Sequence, residues 1–347
     1  VCSRAGTPTT IAGPPEPVVP DPGAIPPGAV TRFAPAPTGH LHLGHLVNAL
    51  YVWGIARATG GEVVLRIEDH DRQRSRRAFE TDLLEDLERL GLVPDRPPIA
   101  TLRAGPSPYR QSDSGAAYRD AVQRLRAAGR IYACDCARST FERWEREHGA
   151  PFAGTGCPGG CRGRPVGEES GAGLRVALGG GQERWVDALA GPMADDVAPR
   201  GDLLARDRLG NWTYGFCVVV DDMRHGVDLV IRGRDLLHAT AAQIRLGRAL
   251  GRDVPPAFLH HPLVRRPDGT KLSKADGATA VRSLLAAGRT PAELFGHAAK
   301  LVGLGDGGPL EPAMLAGCFE RPPPGVRRSR SRSPGASARR DPGRRRR

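Results

Sequence analysis

Hydrophobic and polar positions along the chain follow two periods in turn. Ala29 to Ala34 is a short apolar-rich run that reads as a strand and leads into the Pro/Gly-rich turn Pro35 to Gly39. From Leu43 the apolar positions continue through Ala49, Leu50 and Trp53 toward Ala58, predicting a helix that Gly60 and Gly61 stop. Glu62 to Ile67 reads as a buried strand centred on Val63, Val64 and Leu65. Phe79 to Leu90 carries Leu83, Leu84, Leu87 and Leu90 at helical spacing. Strand, helix, strand, helix implies parallel pairing, with ligands expected at the carboxyl ends of the strands.

Ala117 to Ala128 reads as a further helix, after which the pattern changes. Residues 129–205 combine four clustered cysteines with many Gly and few long apolar runs, as expected of an inserted subdomain tethered by a metal. The α/β pattern resumes with Tyr214 to Val220, the strand Asp228 to Ile231, the helix Leu236 to Leu250 and the strand Phe258 to Val264. The expected organisation is a disordered Pro-rich leader (1–28), the first half of an α/β catalytic domain (29–128), the insert (129–205) and the second half (206–280). A short helical remnant (281–317) and a disordered Arg-rich tail (318–347) complete it.

Composition changes this picture little. The 347 residues are 39% hydrophobic and 25% charged, which excludes a wholly disordered chain. The net charge of +12 is concentrated at one end: residues 321–347 hold eleven Arg and the single acid Asp341, so the rest is nearly neutral. A basic tail binds phosphate backbones without sequence choice, and a solvated tail of no function has the same composition. No run approaches the roughly 18 apolar residues that span a bilayer. The leader lacks an apolar stretch of the secretory kind, and seven cysteines, an odd number, argue against a disulfide scaffold, so a soluble, cytoplasmic protein is expected.

Three motifs carry chemistry. In Arg32-Phe33-Ala34-Pro35-Ala36-Pro37-Thr38-Gly39-His40-Leu41-His42-Leu43-Gly44-His45, two imidazoles spaced H-x-G-H meet a helix start, with Gly44 permitting close backbone approach. Ring N–H donors and a helix N-terminus suit a polyphosphate under attack at its α-phosphate; a His-rich surface cap would use the same residues. In Lys271-Leu272-Ser273-Lys274, two lysines on a loop behind Pro267-Asp268-Gly269 can neutralise a departing pyrophosphate. Cys134-x-Cys136 with Cys157-x-x-x-Cys161 offers four thiolates for a closed tetrahedral zinc site of structural role.

Together the first two motifs resemble the two signature sequences of class I aminoacyl-tRNA synthetases. The R-F-A-P-x-P-T-G run, Arg66-Ile67-Glu68-Asp69-His70-Asp71 with Arg74, and Val218-Val219-Val220-Asp221-Asp222 are similar to the glutamyl branch of that class. The resemblance covers roughly residues 30 to 280. It implies a Rossmann-like parallel sheet carrying the zinc insert, with ATP and its Mg²⁺ as substrate. Glutamate has two carboxylates and one ammonium, so a selective site needs about two cations and one anion. Arg32, Arg232 and Glu68 meet that need. By resemblance, Arg32, Phe33, Ala34, Pro35, Ala36, Glu68, Tyr214 and Arg232 correspond to glutamate contacts. His42, Gly44, His45 and Lys274 correspond to ATP contacts, and His42, His45, Lys271 and Lys274 stabilise the transition state.

The cysteines narrow the resemblance. C-x-C followed by Cys161-Arg162-Gly163 is similar to glutamyl-queuosine tRNA(Asp) synthetases, short paralogues of the glutamyl enzymes, with Cys157 standing where that group can carry Tyr. Only about 40 plausibly ordered residues follow Ala275, too few for the large helical anticodon-binding domain of a full-length enzyme. The resemblance therefore implies activation of L-glutamate without tRNA, then transfer to the queuosine base of tRNA(Asp). Two alternatives stay open at this point: a truncated synthetase charging the 3′ end of tRNA, and a non-catalytic zinc-bearing RNA-binding module.

Overall fold

The computed structural model describes residues 19–152, 156–157, 160–167, 171–198, 201–264 and 280–320. Its first elements follow the polarity pattern closely: β1 (Val30–Phe33), α1 (Leu43–Thr59), β2 (Glu62–Leu65) and α2 (Arg77–Arg89). α1 stops at Gly60, whose φ of 68° is the left-handed cap that glycine adopts without strain. Gly61 then passes so close to β1 that a Cβ would lie 2.2 Å from the Ala29 carbonyl oxygen. The chain continues through α3 (Ile99–Ala104), α4 (Gly115–Ala127), β3 (Ile131–Cys134), α5 (Arg138–His148), β4 (Gly173–Val176), β5 (Gln182–Asp187), β6 (Gly191–Asp196) and β7 (Leu203–Arg206). It ends with α6 (Tyr214–Arg224), β8 (Leu229–Gly233), α7 (Thr240–Ala249), β9 (Ala257–His261), α8 (Val281–Ala286), α9 (Pro291–Leu301) and a 3-10 turn, Pro312–Cys318.

β5, β9 and β8 pair in parallel, and β1 pairs in parallel with β2. The starts of β8 and β1 meet where Asp228 N–H donates to Val30 O (3.0 Å) and Val30 N–H donates to the Asp228 carboxylate (2.7 Å). The strands thus lie side by side in the order β5, β9, β8, β1, β2, with their carboxyl ends on one rim. Successive residues of β8 face opposite sides, as a pleated strand requires. Leu229 and Ile231 join a core with α1, α2 and α9, whereas Val230 joins a second core with α4, α6 and α7. α1 is apolar around most of its circumference because it is covered all round, by the sheet on one side and by α9 and the 3-10 turn on others. The turn seats at Gly54, where a Cβ would fall 2.3 Å from the Phe319 ring, and Leu315 is 1% exposed.

Several segments depart from the sequence reading. Residues 129–205 do not form one separate unit. β3, β4 and β7 make their own antiparallel sheet, but the β5–β6 hairpin joins the main sheet through β9. A lone hairpin is marginal in water, and the alternating exposure of Gln182 to Asp187 leaves one face to be packed, here against β9 and α7. Residues 19–28, expected in the disordered leader, fold back: Asp21 N–H donates to Ala188 O (2.8 Å) and Ile25 is buried. The segment Tyr214 to Val220 opens a helix, α6, whose packed face reaches from Phe216 to Asp222. The loop bearing Lys271 and Lys274 lies outside the described residues, as do residues 1–18 and 321–347.

Candidate functional site

The carboxyl-end rim collects one polar residue from each of the five strands: Asp187 ends β5, His260 and Arg232 sit one residue before the ends of β9 and β8, Arg32 does so in β1, and Glu68 lies just past β2. Sheets of this topology bind ligands at that rim. Arg32 is 4% exposed and Glu68 6%; both are tied through Asp222 and Arg66. Arg32 Nε lies 3.3 Å from Asp222 Oδ1, and its Nη1 donates to Ile231 O (2.8 Å). Fully buried Arg66 donates from Nη1 to the same Asp222 oxygen (2.6 Å) and from Nη2 to Glu68 Oε1 (2.9 Å). Burial pushes the Asp222 carboxyl up, but Arg66 and Arg32 outweigh it and hold it below the usual carboxylate range. Behind it, Asp221 accepts from Gln111 Nε2 (3.0 Å) and Tyr118 OH (2.8 Å), and Gln111 in turn meets His70 Nδ1 (2.7 Å).

Arg232 is buried among neutral partners: Nε meets His260 Nε2 (2.9 Å), Nη1 donates to Gln243 Oε1 (2.6 Å) and Nη2 to Thr240 Oγ1 (2.8 Å). It also hydrogen-bonds Tyr214. Burial lowers its pKa from the ordinary arginine value, and burial raises that of the Tyr214 phenol. Tyr214 interacts electrostatically with Arg232, Glu68 and Arg32, and Asp222 with Arg32 and Arg232, so the structure brings these four sequence-predicted residues into one cluster. Phe33 differs. Its ring packs edge-on against Trp53 (5.1 Å) in the α1 core, leaving only its backbone toward the rim. Pro35 O accepts from Glu68 N–H (3.2 Å), which couples the run Ala34 to Ala36 to the end of β2.

At the start of α1, His42 is the N-cap, and its Nδ1 accepts from Gly44 N–H (3.1 Å). His45 Nδ1 accepts from His42 N–H (3.1 Å), and the two rings lie 4.0 Å apart. Because each Nδ1 is an acceptor, each neutral imidazole carries its proton on Nε2. Two ring N–H groups and a half-exposed helix start therefore share one corner of the rim. Gly44 makes this possible, since a Cβ there would lie 2.9 Å from His42 Cε1 and 3.1 Å from its Nδ1. Gly44→Ala is expected to swing the His42 ring and cut turnover at this corner of the rim about 10- to 100-fold, because displacement of about 1 Å costs that much. The melting temperature should stay within a few degrees of wild type; an activity assay and a thermal melt check the pair.

The four predicted cysteines also converge. The Sγ atoms of Cys134, Cys136, Cys157 and Cys161 all lie within 4.8 Å of one another, three of the six separations being 3.4 to 3.6 Å. Zn–S bonds of about 2.3 Å in a tetrahedron need sulfurs about 3.8 Å apart, so the set fits zinc after a small adjustment. Arg175 Nε (3.1 Å from Cys134 Sγ), Arg164 Nη2 (3.1 Å from Cys161 Sγ) and Cys161 N–H (3.4 Å from Cys157 Sγ) are donors that suit thiolates.

Arg66, Asp222, Gln111, Asp187, His260, Thr240 and Gln243 belong to the site without having been singled out as site residues. Some left a trace: Arg66 and Glu68 are two apart on a strand end and so share a face, and Thr240 and Gln243 are three apart on the helix after Arg232. Asp187 left none.

A mixed α/β domain of mainly parallel strands, with a polar carboxyl-end rim, an H-x-G-H helix start and a separate four-cysteine knot, defines a class I synthetase catalytic fold. The model of tRNA synthetases class I (E and Q), catalytic domain, matches residues 29–305, and the chain belongs to that family. Among its relatives, a glutamyl-Q tRNA(Asp) synthetase of Symbiobacterium thermophilum is 42% identical over 300 residues, which are 83% of this chain and 91% of the relative. A glutamyl-Q tRNA(Asp) synthetase of Rhodobacter capsulatus is 39% identical and covered over its whole length by 79% of this chain. The crystal structure of a glutamate-tRNA synthetase from Elizabethkingia anophelis is similar in fold, with a TM-score of 0.68 at 26% identity, over 85% of this chain but 66% of that one. The family read from the motifs is thereby borne out. No helix among the described residues is long and apolar enough to cross a membrane.

Proposed function

We propose that this chain condenses L-glutamate with ATP to glutamyl-adenylate and pyrophosphate without tRNA, and then transfers the glutamyl group to the queuosine base of tRNA(Asp). The observation that supports this most is the convergence of Arg32, Glu68, Tyr214 and Arg232 at the carboxyl-end rim from which α1 starts with His42 and His45, in a chain 42% identical to a glutamyl-Q tRNA(Asp) synthetase across 91% of that relative. The two arginines suit the two carboxylates of glutamate, and Glu68 suits its ammonium. An α-carboxylate oxygen attacks the α-phosphorus of ATP, and the bond to the β-phosphate bridging oxygen breaks. Charge grows on the phosphoryl oxygens as this happens, and the Nε2–H groups of His42 and His45 are donors that stabilise it. By resemblance, Lys271 and Lys274 neutralise the leaving pyrophosphate, with Mg²⁺ carried by ATP. A hydroxyl of the queuosine ring then attacks the mixed anhydride and releases AMP; proximity and a good leaving group supply the drive without a dedicated protein base. Zinc on the four cysteines holds the β3–β4–β7 region together and takes no part in these steps. Thiolates of this kind persist in a reducing compartment, which agrees with a cytoplasmic setting.

The test is glutamate-dependent ATP–pyrophosphate exchange in the absence of tRNA, followed by nuclease mapping of radiolabelled glutamate. Exchange without tRNA and label in the anticodon loop of queuosine-containing tRNA(Asp) support the reading. Label at the 3′ end of tRNA(Glu) overturns the transfer step, and absence of exchange overturns the activation step.

A further inference from the structure

Arg32 and Arg66 each touch a carboxylate, but among the described residues Arg232 touches none: its direct partners are an imidazole, an amide, a hydroxyl and a phenol. A buried guanidinium without a direct counter-charge is costly, and a ligand carboxylate relieves that cost. Its aim must then be fixed by neutral groups. His260 is the one of these that is itself anchored to a charge. Its Nδ1 lies 2.6 Å from Asp187 Oδ2, and both side chains are fully buried. The other Asp187 oxygen accepts from the backbone N–H groups of Leu189 (3.0 Å) and Ala190 (2.9 Å), so the carboxylate cannot turn. His260 pairs directly with Arg232 in the parallel β8–β9 register.

This geometry assigns one tautomer. Arg232 Nε can only donate, so His260 Nε2 is the acceptor and Nδ1 carries the proton given to Asp187. A protonated His260 would set N–H against N–H and place a second positive charge on Arg232. Burial, outweighing the help of Asp187, lowers the His260 pKa accordingly.

We propose that Asp187 and His260 are positioning residues for glutamate recognition: Asp187 locks the Nδ1–H tautomer of His260, and the His260 Nε2 lone pair locks the Arg232 guanidinium toward a substrate carboxylate. The proposal rests on the reading of Arg232 as a glutamate contact. It also gives the β5–β6 hairpin, whose first strand ends at Asp187, a role in choosing the substrate.

The test measures pyrophosphate exchange with glutamate and ATP varied separately. Asp187→Ala and His260→Ala are expected to raise the KM for glutamate about 10-fold or more while the KM for ATP stays within about 2-fold. His260→Gln, which keeps an acceptor for the Arg232 N–H, should recover most of the loss, whereas Asp187→Asn should not: Asp187 accepts with both oxygens, the amide has one, and its NH2 turned to His260 Nδ1 favours the opposite tautomer. An unchanged glutamate KM, or equal rises for both substrates, overturns the proposal. Arg232→Lys separates the two levels: if it leaves the glutamate KM unchanged, the reading of Arg232 fails. If it raises that KM but the Asp187 and His260 variants do not, only the positioning role fails. Nitrogen-15 spectra of the histidines in the wild-type protein, with His260 assigned through His260→Gln, do not depend on any variant other than the assignment one folding. A neutral Nδ1–H ring at pH 7 supports the proposal, and an Nε2–H or protonated ring overturns it.

Discussion

Arg66→Ala is expected to lower the stability of the folded protein by about 3–5 kcal/mol, the usual cost of removing one partner from a buried ion network. Arg66 is 0% exposed and bridges Glu68 and Asp222, so its loss takes the ion-pair partner from buried Glu68 and leaves Asp222 with Arg32 alone. A surface pair such as Arg103 with Glu88, open to water, should by contrast change stability little when broken. The effect has a definite pH dependence. In the wild type the Asp222 pKa is depressed, so its contribution is fully present above the unfolded value of about 3.9 and is lost as pH falls through the folded value. In the variant the Arg66 charge is gone and Arg32 is left as the nearest cation against burial, so the Asp222 carboxyl moves up and its protonation costs the fold less. The gap in melting temperature between the two proteins should therefore be widest near pH 7 and narrower at pH 4, as read by thermal melts at both. A gap that does not change with pH would show that Arg66 acts through packing alone. Glutamate activation should be abolished with the fold intact at low temperature, because Arg32 shares the Asp222 carboxylate and loses its alignment.

The larger effect concerns the four cysteines. The purified protein is expected to carry one zinc per chain, and removal of the metal by a strong chelator, or Cys136→Ser, should unfold the β3–β4–β7 sheet. The scale is set by structural zinc sites, whose apparent binding free energy is about 10–16 kcal/mol near neutral pH. Beyond the core contacts that Leu174, Val176, Leu203 and Ala205 make with α4 and α6, the segment has little else to hold it. β3 and β4 are four residues each, and α5 buries none of its side chains. Hydrogen exchange should show loss of protection over residues 131–134, 173–176 and 203–206, with α1 and β2 unchanged. Affinity should fall as pH falls, since the thiolates must release their protons to bind. Full retention of protection after the metal is gone would mean that the thiols themselves hold the segment.

Elements that depend on local pattern were legible in the sequence. β1, α1, β2 and α2 are written in runs of Val and Leu and in the Gly60-Gly61 stop, and helix ends and strand cores are set by residues close in the chain. Arg32, Glu68, Tyr214 and Arg232 were legible for a different reason: each sits in a recognisable block. The ties between blocks were not. Arg66 and Asp222 are 156 residues apart, and His260 and Asp187 are 73 apart, so no period links them. The β5–β6 hairpin shows the same limit. Its alternation announces a half-buried strand but says nothing about which edge it will join, and the choice of β9 over the neighbouring β4 moved it from the insert to the main sheet. Phe33 lies in the same sequence block as Arg32, yet strand parity turns its ring into the core.

The 3-10 turn at Pro312–Cys318 bears on how the protein can be cut down for study. The matched family domain stops at residue 305, and a fragment trimmed there would look complete on paper. It would leave Gly54 bare where the Phe319 ring now lies and take the second aromatic away from Tyr51, stripping a wall from the helix that presents the two imidazoles. A shortened version meant for crystals or calorimetry should keep residues through Glu320.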